Sequence, residues 1–376
     1  MTNYAYRATI LALFLALPLV ACGPGAGSAD SEGSAQSQTG QETQAADTTC
    51  AALASLPTEE GDLTDRLEQA RILSAGSSKF REPRGTDLLA FERAFGRLLG
   101  GADPTAVQEL QQLGFSVSRY REASSRASWL LVQEAENSGG GTFAINLSPA
   151  RDLWLEAPHA DSDKGTLEQS AAQVVALGAR ALLITGANRC ASATTTACES
   201  GVTAACDGRL RTSDAAHFAD NYFTAAHRAL RAAFPTAVAV SIHGMESSGK
   251  EAAVVSNGTR LPNPGSLSLR LRDAVNRYLG ASGGQAFSCN DPAENGKFRP
   301  LCGATNVQGR IDNGSGDACY AGATSAQDRF LHVEQGPELR SGRGMDPVGQ
   351  ALAETIPCSL PGAGLDCPAP PAPSCT

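Results

Sequence analysis

Between residues 153 and 334 short apolar runs alternate with stretches of helical period, and this alternation limits the possible folds more than any other feature of the chain. Leu153 to Ala157, Ala181 to Thr185 and Val238 to Ile242 have the length and the apolar content of buried strands. Val254 to Val255 is a short strand and Arg329 to Glu334 a late one. Leu167 to Leu177, Ala215 to Ala233 and Leu267 to Leu279 carry apolar residues at helical spacing, with Ser213 or Asp214 as the N-cap of the second. Strands separated by helices favour an α/β fold: a mostly parallel mixed sheet with helices on both faces. Trp129 to Val132 and Thr142 to Ile145 flank the Gly-rich turn NSGGG and predict a hairpin leading into that sheet. Leu63 to Leu73 and Thr86 to Leu99 predict helices, so residues 49–125 are expected to form a helical N-terminal section before an α/β catalytic domain at 126–357.

In open parallel sheets, ligands bind beyond the carboxyl ends of the strands. Here those ends are rich in chemistry. The first strand runs into Pro158, His159, Asp161 and Asp163, the second into Asn188 and Arg189, the third into His243, and the last into Glu334. The chain has only five histidines, so two at strand ends invite a metal reading. Leu331 and Val333 take one face of the last strand, which turns His332 and Glu334 the same way. His217 and His227 are ten residues apart, roughly 15 Å along a helix and too far for one ion. His217 is expected to line the cleft and bind substrate, and His227 to be packed.

The first 22 residues set the expected address. MTNYAYR carries one positive charge, and TILALFLALPLVA is an apolar run of signal-peptide length rather than a membrane span. It ends in LVAC, a lipobox pattern that predicts cleavage before Cys22 and lipidation of Cys22, which would anchor the chain in a bacterial envelope membrane, facing the periplasm or the surface. Residues 23–48 hold no aromatic and no branched aliphatic side chain and read as a disordered tether. Of the 11 cysteines, an even number remains once Cys22 is set aside. None has zinc-ribbon spacing, so disulfides stapling long loops are expected, as befits an oxidising compartment. The tail at 358–376 is Pro-rich. A formal charge of -9 without any basic run argues against nucleic acid as a partner.

Taken together, APHADSDKGT, VSIHGME and FLHVEQGPELR resemble the zinc-dependent exopeptidase fold of metallocarboxypeptidases, most closely its poly-gamma-glutamate hydrolase branch. The resemblance covers residues 153 to 340, about half the chain. It implies Zn2+ held by His159, Asp163 and His243, with Asp161 as the alternative carboxylate and Glu334 as general base. It further implies that Asn188, Arg189 and Arg340 hold a substrate carboxylate or the developing oxyanion, and that the substrate is a peptide or poly-gamma-glutamate. Two departures from the family pattern stand out: an aspartate replaces the usual glutamate, and the loop is one residue shorter. VSIHGME is also similar to the Ser-Ile-His turn of zinc amidases that cleave the muramoyl to alanine bond of peptidoglycan. That likeness implies Glu168 as the acidic ligand. A third reading is a surface lipoprotein that binds a partner on a peptidase scaffold without turnover.

Overall fold

In the computed structural model the described residues are 54–360, apart from 102, 199–204, 247–249, 281–283, 295 and 341–345. The expected signal, lipidated Cys22 and tether lie outside them, as does the Pro-rich tail from 361 onward. All belong to one compact unit that begins at Ala46. None of their helices is long and apolar enough to cross a membrane.

The framework is one ten-stranded sheet. Its strands are β1 Thr58–Gly61, β2 Phe115–Glu122, β3 Ser128–Glu134, β4 Thr142–Asn146, β5 Leu153–Ala157, β6 Ala181–Ile184, β7 Val238–Gly244, β8 Glu251–Ser256, β9 Gln285–Ser288 and β10 Phe330–Gln335. They lie in the order β1-β2-β3-β4-β6-β5-β7-β10-β8-β9. The central run β6-β5-β7-β10 is parallel, and the β3-β4 hairpin joins it antiparallel through β4 and β6.

The helices are α1 Leu63–Glu68, α2 Gly85–Leu98, α3 Pro104–Gln112, α4 Thr166–Ala176, α5 Tyr222–Ala233, α6 Leu267–Leu279, α7 Val307–Asp312 and α8 Pro347–Thr355. Alternation along each strand sends side chains to two cores. Val240, Ile242, Leu331 and Val333 pack on one face with Leu167, Ala171 and Val174 of α4 and Leu271 of α6. Trp154, Ala239 and Phe330 pack on the other with Phe91 and Phe95 of α2 and Phe223, Ala226 and Leu230 of α5. Helices therefore cover both faces, as the alternation requires.

The connections place a ligand crevice. From β5 the chain crosses through α4 to β6 on one side, then through α5 to β7 on β5's other side. The strand order reverses at β5, and the gap beyond the carboxyl ends of β5 and β7 is the place such sheets use for ligands.

Three expectations need correction. The N-terminal section contributes strands β1 and β2 to the same sheet, with Thr58 to Gly61 parallel to Arg119 to Glu122, so it is not purely helical. The first helix stops at Glu68, because Leu73 leaves it to bridge Ala187 beside β6. The helix expected from Ala215 starts at Tyr222, where the Asn221 side chain accepts from Thr224 N. Asp214 caps no helix, since its carboxylate is engaged by two histidines.

Candidate metal centre

Four of the five histidines line one cavity of about 530 Å³ beyond the sheet's carboxyl edge: His159, His217, His243 and His332. Asp163, Arg189 and Glu334 line it too. The tight turn after β5 delivers His159 and Asp163 together, with Asp163 N donating to His159 O at 2.8 Å. Registry across the sheet delivers the rest. Glu156, Ser241 and His332 form one row across β5, β7 and β10, and His243 opposite Glu334 forms the next row outward.

The two ring nitrogens of His159 and His243 are differentiated. His159 Nε2 lies 2.8 Å from Asp214 Oδ1, and His243 Nε2 lies 3.0 Å from Ser241 Oγ. Both Nδ1 atoms face the same carboxylate oxygen, Asp163 Oδ2, each at 3.5 Å. A tetrahedral ion with bonds of about 2.1 Å has ligand atoms about 3.4 Å apart. The donor set therefore has the spacing of a metal site, and a second partner on each imidazole is the usual means of fixing the metal-binding tautomer. Among the described residues His159, Asp163 and His243 form one of three clusters of potential ligands, the ligand atoms of each lying within 4.8 Å of one another. The others, His159–Asp214–His217 and His243–His332–Glu334, flank it and share its histidines.

Arg189 sits against this group. Its Nη2 contacts His159 Nδ1 and lies 3.2 Å from Asp163 Oδ1. The guanidinium thus brings a positive charge to the side of the carboxylate where an ion would bind, and it must move aside for an ion to reach His159. Its Nε–H is buried and has no hydrogen-bond acceptor.

Electrostatics separate these groups. Burial pushes the Asp163 carboxyl up, but its contacts with His159 and His243 outweigh this and hold it well below the usual range. Asp214 is likewise held low against its burial, by His217 and His159. Burial and Arg189 depress His159, yet Asp214 and Asp163 raise it overall. Burial drives His243 down to about 4, and burial followed by the neighbouring histidines drives His332 well below its ordinary value. Burial and then Asp163 push Glu334 up to about 8. His243 and His332 are thereby kept neutral, the form in which imidazole binds metal.

The remaining candidates fall into place differently. His217 lines the cavity, as expected, with Nδ1 3.1 Å from Asp214 Oδ1. Asp161 is exposed and accepts a 2.7 Å bond from Asn188 Nδ2, so this pair ties two loops together and neither side chain lines the cavity. Glu168 is exposed in the first turn of α4 and joins no cluster, which removes the acidic ligand of the amidase likeness.

Arg340 does not line the cavity, and its guanidinium is taken up by backbone carbonyls. Its guanidinium donates to Lys164 O, to Met245 O at 3.0 Å and to Gly336 O at 3.4 Å. It braces the β5 turn against the ends of β7 and β10. Gly165 closes that turn with φ +89, and a Cβ there would meet Arg340 O at 2.3 Å.

Two residues escaped assignment from the sequence. Asp214 read as a helix cap because it precedes a helical pattern, although its position three residues before His217 was a signal. His332 was visible as sharing a face with Glu334 but carried no motif. The cavity walls come from the cysteine loops: Pro300 and Leu301 line it within the loop closed by the Cys289–Cys302 disulfide, and Cys190–Cys206 begins beside Arg189. A third disulfide, Cys198–Cys319, joins the two loop regions. No family model, curated protein or solved structure matches the chain.

Proposed function

We propose that the protein is a zinc-dependent hydrolase acting outside the cytoplasm, which cleaves an amide bond, peptide or gamma-glutamyl. The observation that carries this reading is the pair of imidazole Nδ1 atoms facing one Asp163 oxygen, with Glu334 in the adjacent strand beside His243. His159, Asp163 and His243 would hold the ion. Zinc, when bound, supplies Lewis-acid polarisation of water and of a carbonyl oxygen.

The chain's own groups account for the rest. Glu334 takes a proton from the attacking water as the new C–O bond forms, and returns it to the nitrogen as the C–N bond breaks. Arg189, which lines the cavity, binds a carboxylate of the substrate. Asp214 and Ser241 orient the two imidazoles, and Arg340 holds the turn that carries Asp163. The disulfides and the signal-like N-terminal sequence support an extracytoplasmic site of action.

The test is incubation of the purified protein with poly-gamma-glutamate, peptides with free C-termini and peptidoglycan, with and without a chelator. Chelator-sensitive release of amines is expected from the first or second. Metal analysis should find one zinc per chain, lost in the folded His159→Ala/His243→Ala double variant. A folded protein that takes up no zinc would end this reading.

A further inference from the structure

His332 has no part in that division of labour, yet it is buried, lines the cavity and stacks on His243 with ring centroids 4.4 Å apart. We propose that His332 is a further catalytic residue whose Nε2–H donates a hydrogen bond to the substrate oxygen that turns negative as the amide carbon becomes tetrahedral. The inference rests on the amide-hydrolase reading and adds to it the group that stabilises the developing charge.

The two nitrogens of His332 have different surroundings. Nδ1 is buried and has no hydrogen-bond partner. A neutral imidazole carries its proton on one nitrogen and a lone pair on the other. A buried N–H without an acceptor is rarer and costlier than an unsatisfied acceptor, so the lone pair belongs on Nδ1 and the proton on Nε2. Nε2 is the nitrogen turned toward the reacting groups, 3.8 Å from Glu334 Oε1, too long for a hydrogen bond between them. That N–H is therefore left without a close partner while facing the base.

The ring is held in place on both sides. His243 stacks on it, and Gly303, the residue after Cys302 of the wall disulfide, lies against it, so that a Cβ at 303 would fall 2.5 Å from ring carbons. Gly303 has φ +61, a conformation glycine adopts without strain, and the missing side chain is what admits the imidazole. His332 also belongs, with His243 and Glu334, to a cluster whose ligand atoms lie within 4.8 Å of one another. A carbonyl oxygen positioned for attack by a water that Glu334 deprotonates is thus within reach of Nε2. A donor fixed before the reaction, in a site screened from water, is the kind that stabilises an oxyanion.

Two measurements decide the matter. In zinc-free protein carrying 15N-histidine, long-range 1H–15N correlation should show His332 neutral with its proton on Nε2, assigned by loss of its signals in His332→Gln. A proton on Nδ1 would overturn the proposal. In the zinc-loaded enzyme, on whichever of poly-gamma-glutamate or C-terminal peptide the wild type cleaves, His332→Leu should lower kcat about 10²–10³-fold. KM and zinc stoichiometry should hold, and His332→Gln, whose amide N–H reaches the place of Nε2, should recover part of the loss. Unchanged kcat in His332→Leu would refute the donor role, and loss of zinc would make His332 a ligand instead. Absence of chelator-sensitive cleavage by the wild type would defeat the hydrolase reading itself, whereas the tautomer measurement judges His332 without reference to turnover.

Discussion

One row inward from the cavity on the same sheet face lies a second buried histidine network, and the two behave oppositely. His227 Nδ1 is 2.6 Å from Glu156 Oε1, its Nε2 is 3.3 Å from Asp312 Oδ1, and Arg231 grips Asp312 through two bonds of 2.7 Å. Trp154 Nε1 donates to Glu156 Oε1 at 2.8 Å. His227, Glu156 and Asp312 are fully buried. Burial depresses His227, but Glu156 and Asp312 overcome it and raise the imidazole to about 9. In the cavity, burial prevails and His243 falls to about 4. The decisive difference is the number of carboxylates per imidazole and the presence of other positive groups nearby. His227 lies between two carboxylates, one of them also paired with Arg231, and becomes a structural cation. His243 shares Asp163 with His159 and Arg189 and stays a neutral donor of electrons. Burial alone thus does not mark a metal ligand; the charge balance around it does.

This contrast can be broken in graded ways. The largest effect is expected from His227→Ala, which leaves Glu156 buried without its cation and Asp312 with Arg231 alone, and should cost about 3–5 kcal/mol in urea unfolding. Zinc stoichiometry should be unchanged, and its loss would show that the two networks are not separate. Next, Asp214→Asn removes the carboxylate behind His159 and should weaken zinc binding about 10–100-fold in competition with a chromophoric chelator. Its stability should fall less than that of His227→Ala. The smallest effect concerns pH. The folded value for His227, about 9, lies above its unfolded value of 6.5, so its contribution is full below pH 6.5 and is lost as pH rises through 9. The melting temperature should fall on the order of a few degrees between pH 6.5 and 9.5. This component of the fall should disappear in a His227→Gln variant.

The sequence made the central strands legible because each is a short apolar run bounded by polar residues, and β5 and α6 match the residues expected of them. It was less informative where tertiary contacts set the boundaries. β2 has half-exposed, arginine-bearing positions that hide its alternation, and β1 is almost wholly exposed, so neither reads as a strand without its partner. The helix start near 215 was misread because Asp214 has the composition of a cap while its carboxylate serves His159. Among site residues, those at strand ends were visible from the succession of endings. The family resemblance implies a substrate role for Arg340 and Asn188, whereas in the structure the arginine is surrounded by backbone carbonyls and the asparagine donates to an aspartate. Such partners come from residues distant in sequence, and no local pattern announces them.

The supports of the cavity are of two kinds. The candidate ligands stand on strand ends and one tight turn, held by sheet hydrogen bonds and the Arg340 brace, whereas the walls bearing Pro300, Leu301 and Gly303 hang on or beside a cystine. A thiol reductant therefore acts on one support and not the other. It unfastens the enclosure while the candidate ligands keep their seats, so the walls of the cavity and the groups at its floor are, in this molecule, mechanically independent.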